Sequence, residues 1–419
     1  MTSTNDIPRQ RVIQLDILRG VAILLVIFRH SVAEYTRSRT LEPIFKFLHH
    51  FGWTGVDLFF VLSGFLIGGL LFKEIEARSR LDVKRFLIRR GFKIWPSYLL
   101  LVAVVGIEEI WQHGAMRGFK TILPNLLHLQ NYLGSPRGFT WSLAVEEHFY
   151  LALPLFLLVV MRGGMPALRG ATIPIAVGVV AIACLVMRLR TPAVPFNEQD
   201  MHWYTTHLWP THLRIDSLFF GVLLAYLFHI HPQIMDKIGR QRGLLLLIGL
   251  ALLAPVAAMD DHGRFVRTYG YTMLYLGYGC ILLAMIYTTP GRGISGRLID
   301  SFFAKGLAFI GVYSYTMYLW QAEFGIMPVR HFALPWAKSH LHSGLFGFYL
   351  MGLQILLTFI GGVVMAKIIE RPALALRDRL FPGRASAPAT HSPTTEAPAL
   401  LEPAAVAAIF THPMRESIL

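Results

Sequence analysis

Long runs of Leu, Val, Ile, Phe and Ala, each long enough to cross a bilayer, repeat along this chain and are separated by short polar connections. About ten such spans can be drawn, at residues 14–34, 52–72, 93–111, 141–161, 171–188, 213–230, 243–259, 269–288, 306–326 and 344–367. The pattern predicts an all-α integral membrane protein. The connections carry an unequal load of cations. With a cytoplasmic N-terminus, about 23 Lys and Arg fall on the inner side and about 12 on the outer side. The segment between the second and third spans decides this, with Lys73, Arg78, Arg80, Lys84, Arg85, Arg89, Arg90 and Lys93. Both termini are therefore expected in the cytoplasm, and the protein in the inner (plasma) membrane as a multi-pass chain.

Three divisions follow: a cytoplasmic N-terminal segment at 1–12, a transmembrane domain at 13–380, and a tail at 381–419. The tail is rich in Ala, Pro, Ser and Thr and reads as disordered. The first span runs into Arg29 and His30 rather than a small-residue cleavage site, so no cleaved leader is expected.

Composition narrows the picture. Of 419 residues, 54% are hydrophobic and 15% charged, and mean hydropathy is +0.51, which excludes an ordinary soluble enzyme. The net charge of +14 is explained by span-flanking cations and lipid headgroups, so no nucleic-acid partner is expected. Cys184 and Cys280 lie within apolar segments and read as small core residues. The outer-side histidines His202, His207, His212, His331, His340 and His342 fit no metal-binding spacing, so no metal is expected.

Candidate chemistry comes from the ionisable residues inside the spans, which are costly there and mark pathways or reaction centres. Arg19 and His30 in span one are eleven residues apart, close to three helical turns. They share one face at roughly 16 Å separation along the axis. A histidine can exchange a proton near neutral pH, whereas arginine keeps its charge. With the spans drawn as above, an acid-rich outer pocket is expected above a base-rich inner mouth. The pocket would draw on Glu34, Asp57, Glu146, Glu147 and Asp216, and the mouth on Arg19, Arg89, Arg90 and Lys93. Plainer readings stand beside these: Arg89–Lys93 as a positive-inside flank, Glu146 and Glu147 as partners of a neighbouring Arg or caps of the span entrance, and Arg29 with His30 as markers of the outer membrane interface.

A polyanionic donor entering from the cytoplasm and a hydroxyl acceptor outside fit this polarity. The reaction would be acyl transfer from an acyl-CoA thioester, with acetyl-CoA the expected donor, to a sugar hydroxyl. His30 would act as general base, and Arg19 or a backbone amide would stabilise the oxyanion. Arg89, Arg90 and Lys93 would hold the donor phosphates. Two other readings compete: a proton-coupled transporter or flippase using His30, Glu34 and Glu146, and acylation of a small cytoplasmic hydroxyl compound. Ser63 lacks the glycine two residues earlier that a nucleophile elbow needs. Gly64, Gly68 and Gly69 read as close-packing positions. Acceptor contacts are expected in the loops near 112–140, 189–212 and 327–343.

Seven blocks in order make the chain resemble the acyltransferase-3 family of integral membrane acyltransferases. They are Arg19 with His30; Gly55, Val56, Asp57, Phe59, Phe60, Ser63, Gly64 and Phe65; Arg89, Arg90, Lys93, Ile94 and Pro96; and Trp141, Ser142, Leu143, Glu146, Glu147, Phe149 and Tyr150. Then come Arg214, Asp216 and Gly221; Tyr313, Ser314, Tyr318, Leu319 and Trp320; and Glu370, Arg371 and Pro372. The resemblance covers about residues 10–375. It implies acylation of glycans, lipid-linked sugars, peptidoglycan or antibiotics, with His30 and Arg19 catalytic and Arg90 and Lys93 handling the donor. Tyr150, Glu146 and Glu147 are expected as acceptor-pocket or structural residues. Lys93 stands where the family usually has arginine, which loses the guanidinium fork. Gln321 stands where histidine is frequent, and Arg29 where an apolar residue is usual.

Overall fold

The computed structural model describes residues 12–31, 42–197, 201–340 and 346–382. Among these residues there are helices and no strands. A chain segment in hydrocarbon must satisfy its own backbone N–H and C=O groups, and the helix does this within one segment. Glu34 and the expected N-terminal segment and tail lie outside the described residues, apart from Val12, Phe381 and Pro382.

The helices run in chain order as α1 (Ile13–Arg29), α2 (Glu42–Phe51), α3 (Gly55–Arg78), α4 (Val83–His113), α5 (Ala115–Leu126) and α6 (Gln130–Leu133). Next come α7 (Trp141–Arg162), α8 (Gly164–Arg169), α9 (Thr172–Arg190), α10 (Met201–His207), α11 (Thr211–Ile230), α12 (Pro232–Arg240) and α13 (Arg242–Ala258). The last group is α14 (Tyr271–Ile286), α15 (Gly293–Ile299), α16 (Phe302–Val312), α17 (Ser314–Gln321), α18 (Leu334–His340), α19 (Phe346–Met365) and α20 (Arg371–Leu380).

Among the described residues, seven helices are long and apolar enough to cross a membrane, and eight spans result if α12 and α13, bent by 79°, form one broken span. Two expected spans take other forms. The first is α1, only 17 residues long. The ninth is interrupted at Tyr313 between α16 and α17 and then continues as π-helix through Ile326. Hydropathy measures apolar content and is blind to such breaks, which explains the difference.

Stripes of large apolar residues face outward: Ile175, Val179, Ile182 and Val186 on α9, and Tyr349, Leu353, Leu356, Ile360 and Val364 on α19. Steps of three and four place each set on one helix face. Exposed patches of this extent belong against lipid, so the chain is a multi-pass membrane protein.

The core sits where α1, α3, α11, α14 and α17 meet. Glycine permits the closest approaches. A Cβ at Gly64 would lie 1.9 Å from the carbonyl oxygen of Leu218, and one at Gly221 2.4 Å from that of Val61, so α3 and α11 touch backbone to backbone. Gly68 of α3 faces Ala225 and Val222 of α11 in the same seam. Asp82 caps α4, accepting a hydrogen bond from the Arg85 amide at 3.1 Å, and so fixes where the cationic helix begins.

Candidate active site

A cavity of about 140 Å³ lies inside the bundle. Its wall takes Arg19 from α1, Phe59 and Ser63 from α3, Arg90 and Lys93 from α4, and Glu146 and Tyr150 from α7. Gly311 of α16 and Ser314, Tyr315 and Tyr318 of α17 close it. Thus four of the residues singled out by sequence for donor or acyl chemistry (Arg19, Arg90, Lys93 and Glu146) converge on one space, with Tyr150 beside them.

Local helix geometry explains the convergence. Arg90 and Lys93 are three residues apart on α4 and therefore share a face. Glu146 and Tyr150 are four apart on α7, and the Tyr150 hydroxyl donates to Glu146 Oε2 at 2.6 Å. Ser63 Oγ lies 3.0 Å from the same hydroxyl, and the Arg90 guanidinium sits 5.2 Å from the Tyr150 ring centroid. Arg19 pairs with Asp16 at 3.2 Å, and Lys93 with Glu370 at 2.5 Å. Acid and base are thus mixed in one cavity rather than layered by depth. The expected layering took depth from where each apolar run begins. Helix α4 starts at Val83, well before its apolar run, so Arg90 and Lys93 lie two to three turns inside it and meet residues early in α7.

His30 stands apart from this wall. It follows the last residue of α1, half-buried, with its backbone N–H on the Ile27 carbonyl (3.2 Å) and its carbonyl accepting from Gln354 Nε2 (3.2 Å). Arg29, His49 and Arg330 are its charged neighbours. The remaining residues also separate. Asp57 is fully buried against Arg214 at 2.6 Å, and Asp216 against Arg188 at 2.5 Å. Arg214 lies 3.9 Å from the Tyr271 ring centroid and Arg188 lies 5.3 Å from it, so both guanidiniums pack against one aromatic ring. Glu147 is off the cavity, with Trp95 as its hydrogen-bond partner. Arg89 faces α20, where it meets Asp378 at 3.2 Å and donates to the Phe381 carbonyl.

Tyr315 of the cavity escaped the sequence reading, and Ser314 entered it only as part of a motif block; neither carries a chemistry-bearing spacing of its own, and both follow the break at Tyr313. Tyr318 and Ser142 share a 2.7 Å hydrogen bond across α17 and α7, which joins two blocks quoted separately from the sequence. For metals, one group of three among the described residues has the right proximity: Asp260, Asp261 and His262. The Asp261 carboxylate there already meets Arg29 at 3.1 Å and His262 at 2.9 Å.

Fold and cavity together define a polytopic helical membrane protein with a charged, partly aromatic cavity within its helices. Residues 12–384 match the acyltransferase domain of the acyltransferase-3 family, and the chain belongs to that family. It is similar to the peptidoglycan O-acetyltransferase OatA of Listeria monocytogenes, 27% identical over 395 residues, covering 89% of this chain and 57% of that protein. It is likewise similar to the O-acetyltransferase OatA of Staphylococcus aureus, 24% identical over 381 residues, covering 85% and 56%. The chain thus spans little more than half the length of the curated relatives it matches. No solved structure matches it.

Proposed function

We propose that this protein is a membrane-embedded O-acyltransferase of the inner (plasma) membrane. It would move an acyl group, acetyl in the simplest case, from cytoplasmic acyl-CoA to a hydroxyl of a carbohydrate or lipid-linked glycan. The observation that carries the reading is the convergence of Arg19, Arg90 and Lys93 on one cavity of otherwise largely apolar and hydroxyl-bearing walls. Fixed cations in a low-dielectric space favour an anionic, extended donor, and the names of the relatives support O-acetyl transfer to a glycan.

In this reading the chain has ten spans with both termini cytoplasmic, and the donor enters past Arg89, Arg90 and Lys93. His30 takes the proton of the acceptor hydroxyl as its oxygen attacks the thioester carbonyl. The C–O bond forms, the C–S bond breaks, and the CoA thiolate leaves and recovers a proton. Roughly 16 Å of helix separates Arg19 from His30, more than the two side chains bridge together. Arg19 therefore serves the donor's arm rather than the oxyanion, which falls to a backbone amide. Glu146 and Tyr150 hold Arg90 in place.

The test is mass spectrometry of surface-glycan O-acylation in cells lacking the native protein, with wild type, His30→Ala and Arg90→Ala at matched membrane levels. Acylation restored by wild type and lost at least 100-fold in both variants is expected. Equal acylation by His30→Ala would remove the base, and no acylation by wild type would remove the glycan acceptor. Release of free CoA by wild-type membranes separates acyl transfer from transport, which consumes no thioester.

A further inference from the structure

Helix α19 carries two polar side chains on its inward face. Gln354 and Thr358 are four residues apart and fully buried, in line with Leu350 and Met365, while Tyr349, Leu353, Leu356 and Ile360 face outward. A carboxamide inside a membrane helix is costly unless it finds a hydrogen-bond partner. Among the described residues the Gln354 amide has one. Its Nε2 donates at 3.2 Å to the carbonyl of His30, 324 residues away in the chain, and its Oε1 is buried without a partner.

That carbonyl is one that α1 cannot satisfy from within. His30 caps the C-terminal end of α1, where the last carbonyls have no amide ahead of them. Its own N–H is held by the Ile27 carbonyl at 3.2 Å. The two peptide groups that flank the His30 Cα are therefore fixed by different helices, one by α1 and the other by α19. Together they set the direction of the Cα–Cβ bond, from which the imidazole swings on two torsions.

The place of α19 is itself set against the wall of the cavity. A Cβ at Gly362 of α19 would lie 2.6 Å from Met317 Cγ of α17. One at Gly325, in the π-helical turn Ala322–Ile326, would lie 2.1 Å from Thr358 Oγ1. These glycines let α19 press on α17 and on the turn that follows it. Helix α17 supplies Ser314, Tyr315 and Tyr318 to the cavity. One packed unit thus runs from the cavity wall through α19 to the backbone of His30.

We propose that Gln354 is a positioning residue that sets His30 relative to the cavity. This rests on His30 as the general base. The base must meet the acceptor hydroxyl in the geometry in which its oxygen attacks the thioester, and a displacement of about 1 Å costs on the order of 100-fold in rate. Gln354 exerts its effect through the His30 backbone.

The experiment measures transfer of radiolabelled acetyl from acetyl-CoA to glycan in membrane vesicles from cells lacking the native protein, with the full chain and its variants at matched levels. Gln354→Met keeps the side-chain length and loses the donor. It is expected to lower kcat about tenfold or more and to leave KM for acetyl-CoA within about twofold of wild type. Thr358→Val, one turn along the same face, is expected to keep kcat within about twofold of wild type. The decisive readout is the double variant of His30→Ala with Gln354→Met. A residue that acts through His30 adds no loss once His30 is gone, so the double variant should be as fast as His30→Ala alone.

An unchanged kcat in Gln354→Met overturns the proposal, as does a double variant about fivefold or more slower than His30→Ala, which marks an independent packing role. An equal loss in Thr358→Val overturns it too, by assigning the effect to the seam. If Gln354→Met fails to fold, Gln354→Asn, one methylene shorter, decides by the same cycle. A wild-type rate in His30→Ala removes the base, and the proposal falls with it. A slow His30→Ala beside a full-rate Gln354→Met removes the positioning role alone.

Discussion

Arg214 and Asp57 show how little of a charged residue's role its sequence position reveals. Both side chains are fully buried, their ion pair is 2.6 Å long, and the guanidinium carbon lies 3.9 Å from the Tyr271 ring centroid. Removing one partner of such a pair strands a charge, at a cost of about 3–5 kcal/mol, whereas replacing both with apolar residues is nearly neutral. Asp57→Asn is therefore expected to lower the thermal unfolding midpoint in detergent sharply, and Asp57→Leu combined with Arg214→Met to recover most of it. A single variant as stable as wild type would show that the pair does not hold α3 to α11. At the end of α10, His207 offers a pH-dependent counterpart. The Val194 amide and Arg267 Nη1 both aim at its Nε2, at 3.4 and 2.9 Å, so the ring must present a lone pair there. Burial, then Arg267, pushes its pKa from 6.5 down to about 4. The unfolded chain binds this proton more readily, so stability is full above about pH 6.5 and falls as pH drops towards 4. Unfolding midpoints at pH 7.5 and 5 should differ more in wild type than in His207→Gln. Equal differences would show that another group governs the acid response.

At the scale of elements, glycines in two seams decide which helices touch. A Cβ at Gly20 of α1 would sit 2.1 Å from the Leu307 carbonyl oxygen, and one at Gly311 of α16 1.9 Å from that of Asp16. Gly178 of α9 has nothing within 4 Å. Ala in place of Gly favours a helix by about 0.5–1 kcal/mol where space allows, but overpacking costs about 1–3 kcal/mol. Gly20→Ala should therefore destabilise the protein in a thermal-shift assay while Gly178→Ala leaves it unchanged or firmer. The reverse order would mean that α1 and α16 are not in backbone contact. Helix content was legible in the apolar runs because a bilayer allows few other spanning structures. The 79° bend between α12 and α13 and the break at Tyr313 were not, since apolar content is the same on both sides of a kink.

Across the whole molecule, Arg19 and Glu146 could be found from sequence because charge inside an apolar run is conspicuous on its own, and Arg90 and Lys93 because they belong to a dense cationic segment at the start of a span. Their common cavity could not, since it depends on where α4 and α7 start relative to each other. Tyr315 and Arg188 were missed for a related reason: a tyrosine or a span-flanking arginine is unremarkable until a partner from a distant segment meets it. The contact of α1 with α16 also orders the protein's assembly in time. These helices stand nearly three hundred residues apart in the chain, and translation proceeds at about 5–20 residues per second. For tens of seconds after α1 is made, its glycine seam has no partner. The wall supplied by Gly311, Ser314, Tyr315 and Tyr318 does not yet exist. A nascent chain halted before Phe302 would carry Arg19, Arg90 and Lys93 around an open cleft, and the chamber would form only as the last third of the protein arrives.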